Sequence, residues 1–446
     1  MKGVKELTNG PILEQLFKLA APIMATSFVQ MAYSLTDMAW VGRIGSESVA
    51  AVGAVGILIW MSTSLSLLNK VGTEVSVAQS IGQKDEQNAR FFASHNITIA
   101  SYISLVWCIL LFVFATPIIT LFNLEPHITA QASDYLRIVV FGLPFFIVSS
   151  TFTGIFNASG RSQVPFAINA TGLVLNILLD PLFIFAFGWG TKGAALATTV
   201  GQIIVFLLFV YQLKIKKTLF PGLSFYVHLK RKYTLRILHL GFPAAMLNMS
   251  FAFINMYICK LAASTGGHIG LMTLTAGGQI EAITWNTAQG FSTALSSFVA
   301  QNYAAGKVSR VLKAYRTTLW LTGCIGTLCT IFFVFMGKEI FSVFVPEPEA
   351  YIAGSVFMRI DGYSQIFMMI EITMEGMFYG MGRSIQPATI SIGGNILRIP
   401  LAIYLVSLGL GVTGIWWAIS LSSTLKGICA LIWFEQLKKN ELTAYK

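Results

Sequence analysis

Seven acidic side chains fall in stretches of this chain that are otherwise hydrocarbon: Asp37, Glu74, Asp180, Glu281, Asp361, Glu371 and Glu375. A carboxylate at such depth in lipid is costly and marks a functional position by default. Tyr33 stands four residues before Asp37, and Asn176 four before Asp180, so each pair shares a helix face. Two carboxylates brought together in low dielectric cannot both ionise cheaply. They gain and lose protons as a coupled pair. Tyr33, Asn176 and Thr198 offer hydrogen bonds to either state. The chemistry of this set is reversible proton binding, and a carboxylate-and-amide cluster also suits sodium. Plainer roles exist for each acid. Asp37 lies near Trp40 and Arg43, as an interfacial acid would, and Asp180 would also serve as a structural hydrogen-bonded acid. Glu74 has Lys70 one turn before it as an ion-pair partner. Glu371 and Glu375, one turn apart, form a possible second cation site. Glu281 and Asp361 fall near the outer ends of their runs, where water is expected.

The elements that must carry these residues are membrane helices. The 446 residues are 55% hydrophobic and 11% charged, with mean hydropathy +0.70. An average soluble domain has about 25% charged residues. Twelve apolar runs are long enough to span a bilayer. They lie near 16–40, 50–80, 93–116, 135–157, 164–187, 193–214, 236–262, 278–302, 317–337, 354–380, 386–407 and 411–434. Pro22, Pro181, Pro243 and Pro400 are the kink candidates. At the helical rise, Asp37 lies roughly 28 Å and Asp180 roughly 24 Å from the inner surface. Thr198 lies roughly 9 Å below the outer surface. The three therefore converge in depth.

Of the 30 Lys and Arg, six map to one side: Arg43, Arg137, Lys192, Lys260, Lys338 and Arg359. Lys70, Arg398 and Lys426 fall within apolar runs, and the remaining 21 share a side with both termini. This bias puts the termini in the cytoplasm of a multi-pass plasma-membrane protein. The net charge of +11 thus sets orientation and meets anionic lipid, and nucleic acid is not an expected partner. The five cysteines lie in or beside apolar runs without metal-ligand spacing. The first run is too long for a signal peptide, and no cleavage site follows it.

The chain repeats itself. NILLDPLFIF (176–185) is answered by NILRIPLAIY (395–404), YLRI (135–138) by FMRI (357–360), and KGAALA (192–197) by TGIWWA (413–418). Gly160-Arg161-Ser162 and Gly382-Arg383-Ser384 are 222 apart, and Pro22 and Pro243 are 221 apart. The expected fold is all-α: an N-terminal six-helix lobe (1–214), a basic cytoplasmic linker (215–235) and a C-terminal six-helix lobe (236–446). Six helices per lobe give both lobes one orientation, with a pseudo-twofold axis along the membrane normal. Such a plan suits a secondary transporter working by alternating access. Asp180 has Ile399 as its twin, so the two lobes differ in chemistry.

The doubled plan, LAAPIMATSFVQMAYSLTDMAWVGRIG, the Gly-Arg-Ser turn and NILLDPLFIF resemble the multidrug and toxic compound extrusion (MATE) family, most closely its DinF-like prokaryotic branch. The likeness covers essentially the whole chain. It implies export of lipophilic or cationic drugs against protons, or alternatively sodium, with no cofactor. In that branch an acid on the first helix and an Asn/Asp pair on the fifth form the coupling site. They fall on Asp37, Asn176 and Asp180, with Tyr33 and Thr198 in support. The NorM-like branch uses acids of the seventh and tenth helices, whereas the seventh helix here offers Asn248 and Asn255. Asp37, Gln30, Met31 and Met38, with Met249, Asn255 and Met256, are the expected substrate-facing residues. Methionines at 246, 249, 256, 358, 368, 369, 374, 377 and 381 are more often plain packing, yet their number favours a pliable apolar cleft over a rigid sugar site. A monomer is expected. The rival reading is a flippase for a lipid-linked precursor, which needs basic groups for pyrophosphate, with Arg398, Lys426 and Lys70 on offer. No HExxH, GxSxG or P-loop pattern supports an enzyme.

Overall fold

The computed structural model describes residues 3–122 and 124–442, which form helices and short connections with no strand among them. The first eight helices are α1 (Ile12–Gly42), α2 (Ser46–Gly82), α3 (Glu86–Val113), α4 (Ala115–Thr120), α5 (Pro126–Val140), α6 (Leu143–Ala158), α7 (Gln163–Pro181) and α8 (Gly190–Val210). Then come α9 (Arg231–Ala304), α10 (Val308–Phe344), α11 (Pro348–Gly362), α12 (Gln365–Gly380), α13 (Ile385–Leu405) and α14 (Val412–Leu437).

The helix count becomes a span count on physical grounds. The 74 residues of α9 would extend about 110 Å, several bilayer cores end to end. Gly267, at φ 61° and ψ −152°, breaks it into two spans. In the other direction, α5 and α6 meet at a 46° bend and make one span. Helices α11 and α12, separated by Tyr363 and Ser364, are their counterparts in the repeat. The described residues thus form twelve spans. Much of their apolar surface is unburied by protein: only 17% of the apolar window of α10 is covered, with Trp320 69% and Phe335 78% exposed. Water would not tolerate that much hydrocarbon, and lipid requires it.

The chain divides into two compact units. One holds the chain up to Asn9 with Ala21–Ala245, the other Gly10–Ala20 with Met246 onward. Within the first, α2 packs on α3, α5 and α6, while α8 packs on α5, α6 and α7. Within the second, α10 packs on α11 and α12, while α14 packs on α11, α12 and α13. The segment before α9 is fastened to α3. Ser224 N donates to Ser94 Oγ at 3.3 Å, Val227 N to Thr98 Oγ1 at 3.1 Å, and the Tyr102 and Tyr226 hydroxyls meet at 2.6 Å.

Glycines permit the closest approaches. A Cβ on Gly241 of α9 would stand 1.9 Å from the Leu68 carbonyl oxygen of α2, a backbone atom that cannot swing away. Gly241→Ala is expected to cost about 1–3 kcal/mol, the usual penalty for overpacking. A lowered unfolding temperature in detergent would register it.

The four prolines lie inside helices α1, α7, α9 and α13, and non-helical backbone falls at Gly267, Met336 and Gly409. Two sequence expectations need correction. Asp361 is not wet. It is 2% exposed, because α12 starts four residues later and Gln365 Nε2 donates to its Oδ2 at 2.6 Å. The methionines of the second half mostly fill the core. Met358, Met368, Met369, Met374, Met377 and Met381 are buried, with their flexible thioethers closing gaps between helices.

Candidate functional site

Helix α7 carries Asn176 and Asp180 on one face, and both side chains are fully buried. Asn176 Nδ2 donates to Asp180 Oδ1 at 3.2 Å. The helix gives way to a π turn, Leu182–Ala186, directly after Pro181. Helix α1 brings Tyr33 and Asp37, and the charge of Asp37 acts on Asp180. Helix α8 brings Thr198 beside the Tyr33 hydroxyl, outside hydrogen-bond geometry. One turn after Thr198, a Cβ on Gly201 would stand 3.5 Å from Tyr33 Oη and 3.9 Å from the Gly172 carbonyl. The three helices therefore converge around the five residues singled out from sequence. Trp40 meets Phe185 edge-on at 6.0 Å, and the Arg43 guanidinium lies 4.6 Å above the Trp40 ring.

Hydrogen-bond accounting separates this place from ordinary core. Tyr33 Oη, Asp37 Oδ1, Asn176 Oδ1, Asp180 Oδ2 and Thr198 Oγ1 are all buried and all without a partner. Buried polar atoms are nearly always paired, so five orphans in one cluster need a reason. A proton on either carboxyl would turn an acceptor into a donor and satisfy a neighbour. Clustered oxygens also suit a small cation. Among the described residues, no group of three or more His, Cys, Asp or Glu has metal-binding geometry.

One further residue belongs here. Tyr135 of α5 is 1% exposed and lies within electrostatic reach of Tyr33, Asp37 and Asp180. Its signal in the sequence is the repeat: at an offset of 222 its twin is Phe357. The same holds for its neighbours. At offsets of 219 to 222, Tyr33, Asp37, Asp180 and Thr198 are answered by Ile254, Ile258, Ile399 and Ile419. Ile254, Ile258, Phe357 and Ile419 form part of a buried hydrophobic core in the second unit, with Ile399 packed against it. Of the cluster only Asn176 keeps its type in the second unit, as Asn395, and the acids and hydroxyls are replaced by hydrocarbon.

The other expected site residues are placed as follows. Gln30, Met38, Asn255 and Met256 are exposed, and Met31 and Met249 half-buried. Glu371 and Glu375 are buried, and the cation beside Glu371 is one the chain supplies itself. Lys426 Nζ stands 3.0 Å from Glu371 Oε2.

The comparison with known proteins follows the same doubling. The MatE family model matches residues 22–182 and, a second time, residues 243–404. The chain belongs to the MatE family. Its members are transporters and not enzymes. This MatE chain is 26% identical over 429 residues to the probable multidrug resistance protein NorM of Thermotoga maritima, covering 91% of this chain and 88% of that one. It is 26% identical over 433 residues to the probable multidrug resistance protein YpnP of Bacillus subtilis, covering 96% of each. In fold it is similar to a MATE protein solved in complex with MaD3S, with TM-score 0.93, 22% identity and coverage of 100% of this chain and 99% of that one.

Proposed function

We propose that this MatE protein exports lipophilic or cationic small molecules across the plasma membrane by antiport against protons, with Asp37 and Asp180 as the coupling acids. The observation that carries the reading is the cluster of five unpartnered buried polar atoms around two carboxyls. The other unit has isoleucine where this one has Tyr33, Asp37, Asp180 and Thr198, and keeps only the amide, as Asn395. The kinship with drug-resistance proteins supports the substrate class. Protonation changes the hydrogen-bond balance among α1, α7 and α8. That gives the bound proton a different free energy in two arrangements of this unit, which coupling requires. Gln30, Met31, Met38, Met249, Asn255 and Met256 contact substrate in this scheme. Both termini face the cytoplasm, and one copy of the chain suffices.

The flippase reading is weaker on a specific observation. A pyrophosphate needs available cations, yet Lys426 is paired with Glu371, and Arg398 donates to Ser422 Oγ at 2.8 Å and Ser423 Oγ at 3.0 Å. The deciding experiment uses purified protein in liposomes with a fluorescent organic cation. A proton gradient is imposed without sodium, then a sodium gradient at equal pH. Proton-driven movement is expected. Movement with sodium alone would replace the coupling ion, and movement with neither would remove the antiport reading.

A further inference from the structure

Helices α3 and α10 are twins at an offset of 222, and they begin in register, at Glu86 and Val308. Their core faces match. Ala89, Ala93, Asn96 and Ala100 are buried on one, and Val311, Tyr315, Thr318 and Thr322 on the other. A second face does not match. On α3 it carries Ser94 and Thr98, which the chain itself covers. Ser94 Oγ accepts from Ser224 N and Thr98 Oγ1 from Val227 N, while Thr98 Oγ1 donates to the Phe225 carbonyl oxygen at 3.3 Å. On α10 the twins are Arg316 and Trp320, and both are exposed. Thr98 is 0% exposed and Trp320 69%.

An open groove of about 330 Å³ lies at that face of α10, lined by Leu13 of α1 with Arg316, Thr317, Trp320 and Leu321. Leu13 belongs to the same compact unit as α10. The volume is on the scale of small-molecule sites. Three residues past Trp320 the surface stays open, since a Cβ on Gly323 would meet nothing within 4 Å.

The lining decides what fits. A serine or threonine hydroxyl can accept a backbone N–H, so a peptide segment suits α3. Guanidinium and indole groups donate and do not accept. Lys313, exposed and three residues before Arg316, adds a further donor on the same helix face. Neither cation takes part in an ion pair among the described residues, and Glu14, beside Leu13, is held by Lys18. The groove therefore suits an occupant with negative charge and many acceptors. It also suits hydrocarbon beyond them. Arg316 stands at the edge of the apolar run 317–337, and Trp320 lies about 6 Å further along the helix. Exposed Leu328, Ile331 and Phe335 continue the face. Phosphate, then ester carbonyls, then acyl chain is the order of groups in a phospholipid.

We propose that this groove binds one anionic phospholipid, with its phosphate on Lys313 and Arg316, its glycerol esters at the Trp320 indole and an acyl chain along Gly323. The lipid fills on α10 the place that residues 224–227 of the chain fill on α3.

The test reads tryptophan fluorescence. The full chain is reconstituted in phosphatidylcholine vesicles holding a small fraction of phosphatidylglycerol, with bromine on the acyl chains of one lipid or the other. The chain has nine tryptophans, so the Trp320 signal is taken as the difference from Trp320→Phe. Its quenching is expected to report phosphatidylglycerol enriched about tenfold over its share of the bilayer, the scale set by two basic residues at an anionic headgroup. Lys313→Gln with Arg316→Gln should bring the enrichment to unity with little change in unfolding temperature. Gly323→Leu, which obstructs the chain path and keeps both cations, should reduce it. Equal quenching by the two lipids in the unsubstituted protein would make Trp320 an ordinary interfacial anchor and overturn the assignment. An enrichment that survives the loss of both cations would overturn it too. So would shielding of Trp320 that grows with protein density and not with phosphatidylglycerol, which would make the occupant a second copy of the chain.

Discussion

Asp180→Asn is expected to abolish uphill export while leaving the protein folded. The amide has nearly the shape of the carboxyl, and its oxygen can still accept the hydrogen bond that Asn176 Nδ2 gives Asp180 Oδ1 at 3.2 Å. What it loses is the ability to bind and release a proton. One unit of pH across the membrane is worth about 1.4 kcal/mol per proton. With one proton exchanged per substrate, that supports about tenfold accumulation of a fluorescent cation. In liposomes of the Asp180→Asn protein the ratio should fall to unity, with facilitated equilibration retained. Asp37→Asn should do the same if the two carboxyls act as one coupled pair. Accumulation retained in Asp180→Asn but lost in Asp37→Asn would make Asp180 a positioning residue for a single coupling acid. Accumulation retained in both would remove the first-unit mechanism.

Much of this was legible in the sequence, for a physical reason. An acid within twenty apolar residues is conspicuous, so Asp37 and Asp180 stood out, and helical spacing brought in Tyr33 and Asn176. Tyr135 did not stand out, because a tyrosine in an apolar run is ordinary. Only the contrast with Phe357 marks it. Asp361 was misread because depth was inferred from position along one straight run. The chain instead breaks at Tyr363 and Ser364, and α12 begins close enough for Gln365 to bond back to Asp361. The sequence marks the break only with Gly362, and a single glycine inside a long apolar run does not by itself distinguish a break from a continuous helix. The methionines misled for the opposite reason. Their composition suits a pliable surface and a well-filled core equally, and only packing decides between them.

The ion pair of the second unit gives the other large effect. Glu371 and Lys426 are 5% and 8% exposed, so removing either charge strands the other in low dielectric. Lys426→Met and Glu371→Gln are each expected to lose about 3–5 kcal/mol, the usual cost of breaking a buried pair. Substantially lower unfolding temperatures in detergent should follow. The double variant should recover most of that loss, since neutral residues of similar volume often replace a buried pair at little net cost. The first unit supports this expectation. Val205 occupies the twin position of Lys426, and Ser149 and Thr153 those of Glu371 and Glu375, so the shared helix plan does not need charge there. A stable double variant would mean that the pair is kept for something other than stability. Its transport would then be informative. Lost accumulation at recovered stability would tie the charges of the second unit to the export cycle. Full accumulation would confine coupling to Asp37 and Asp180. A double variant no more stable than either single would instead make the pair part of the scaffold that holds α12 against α14.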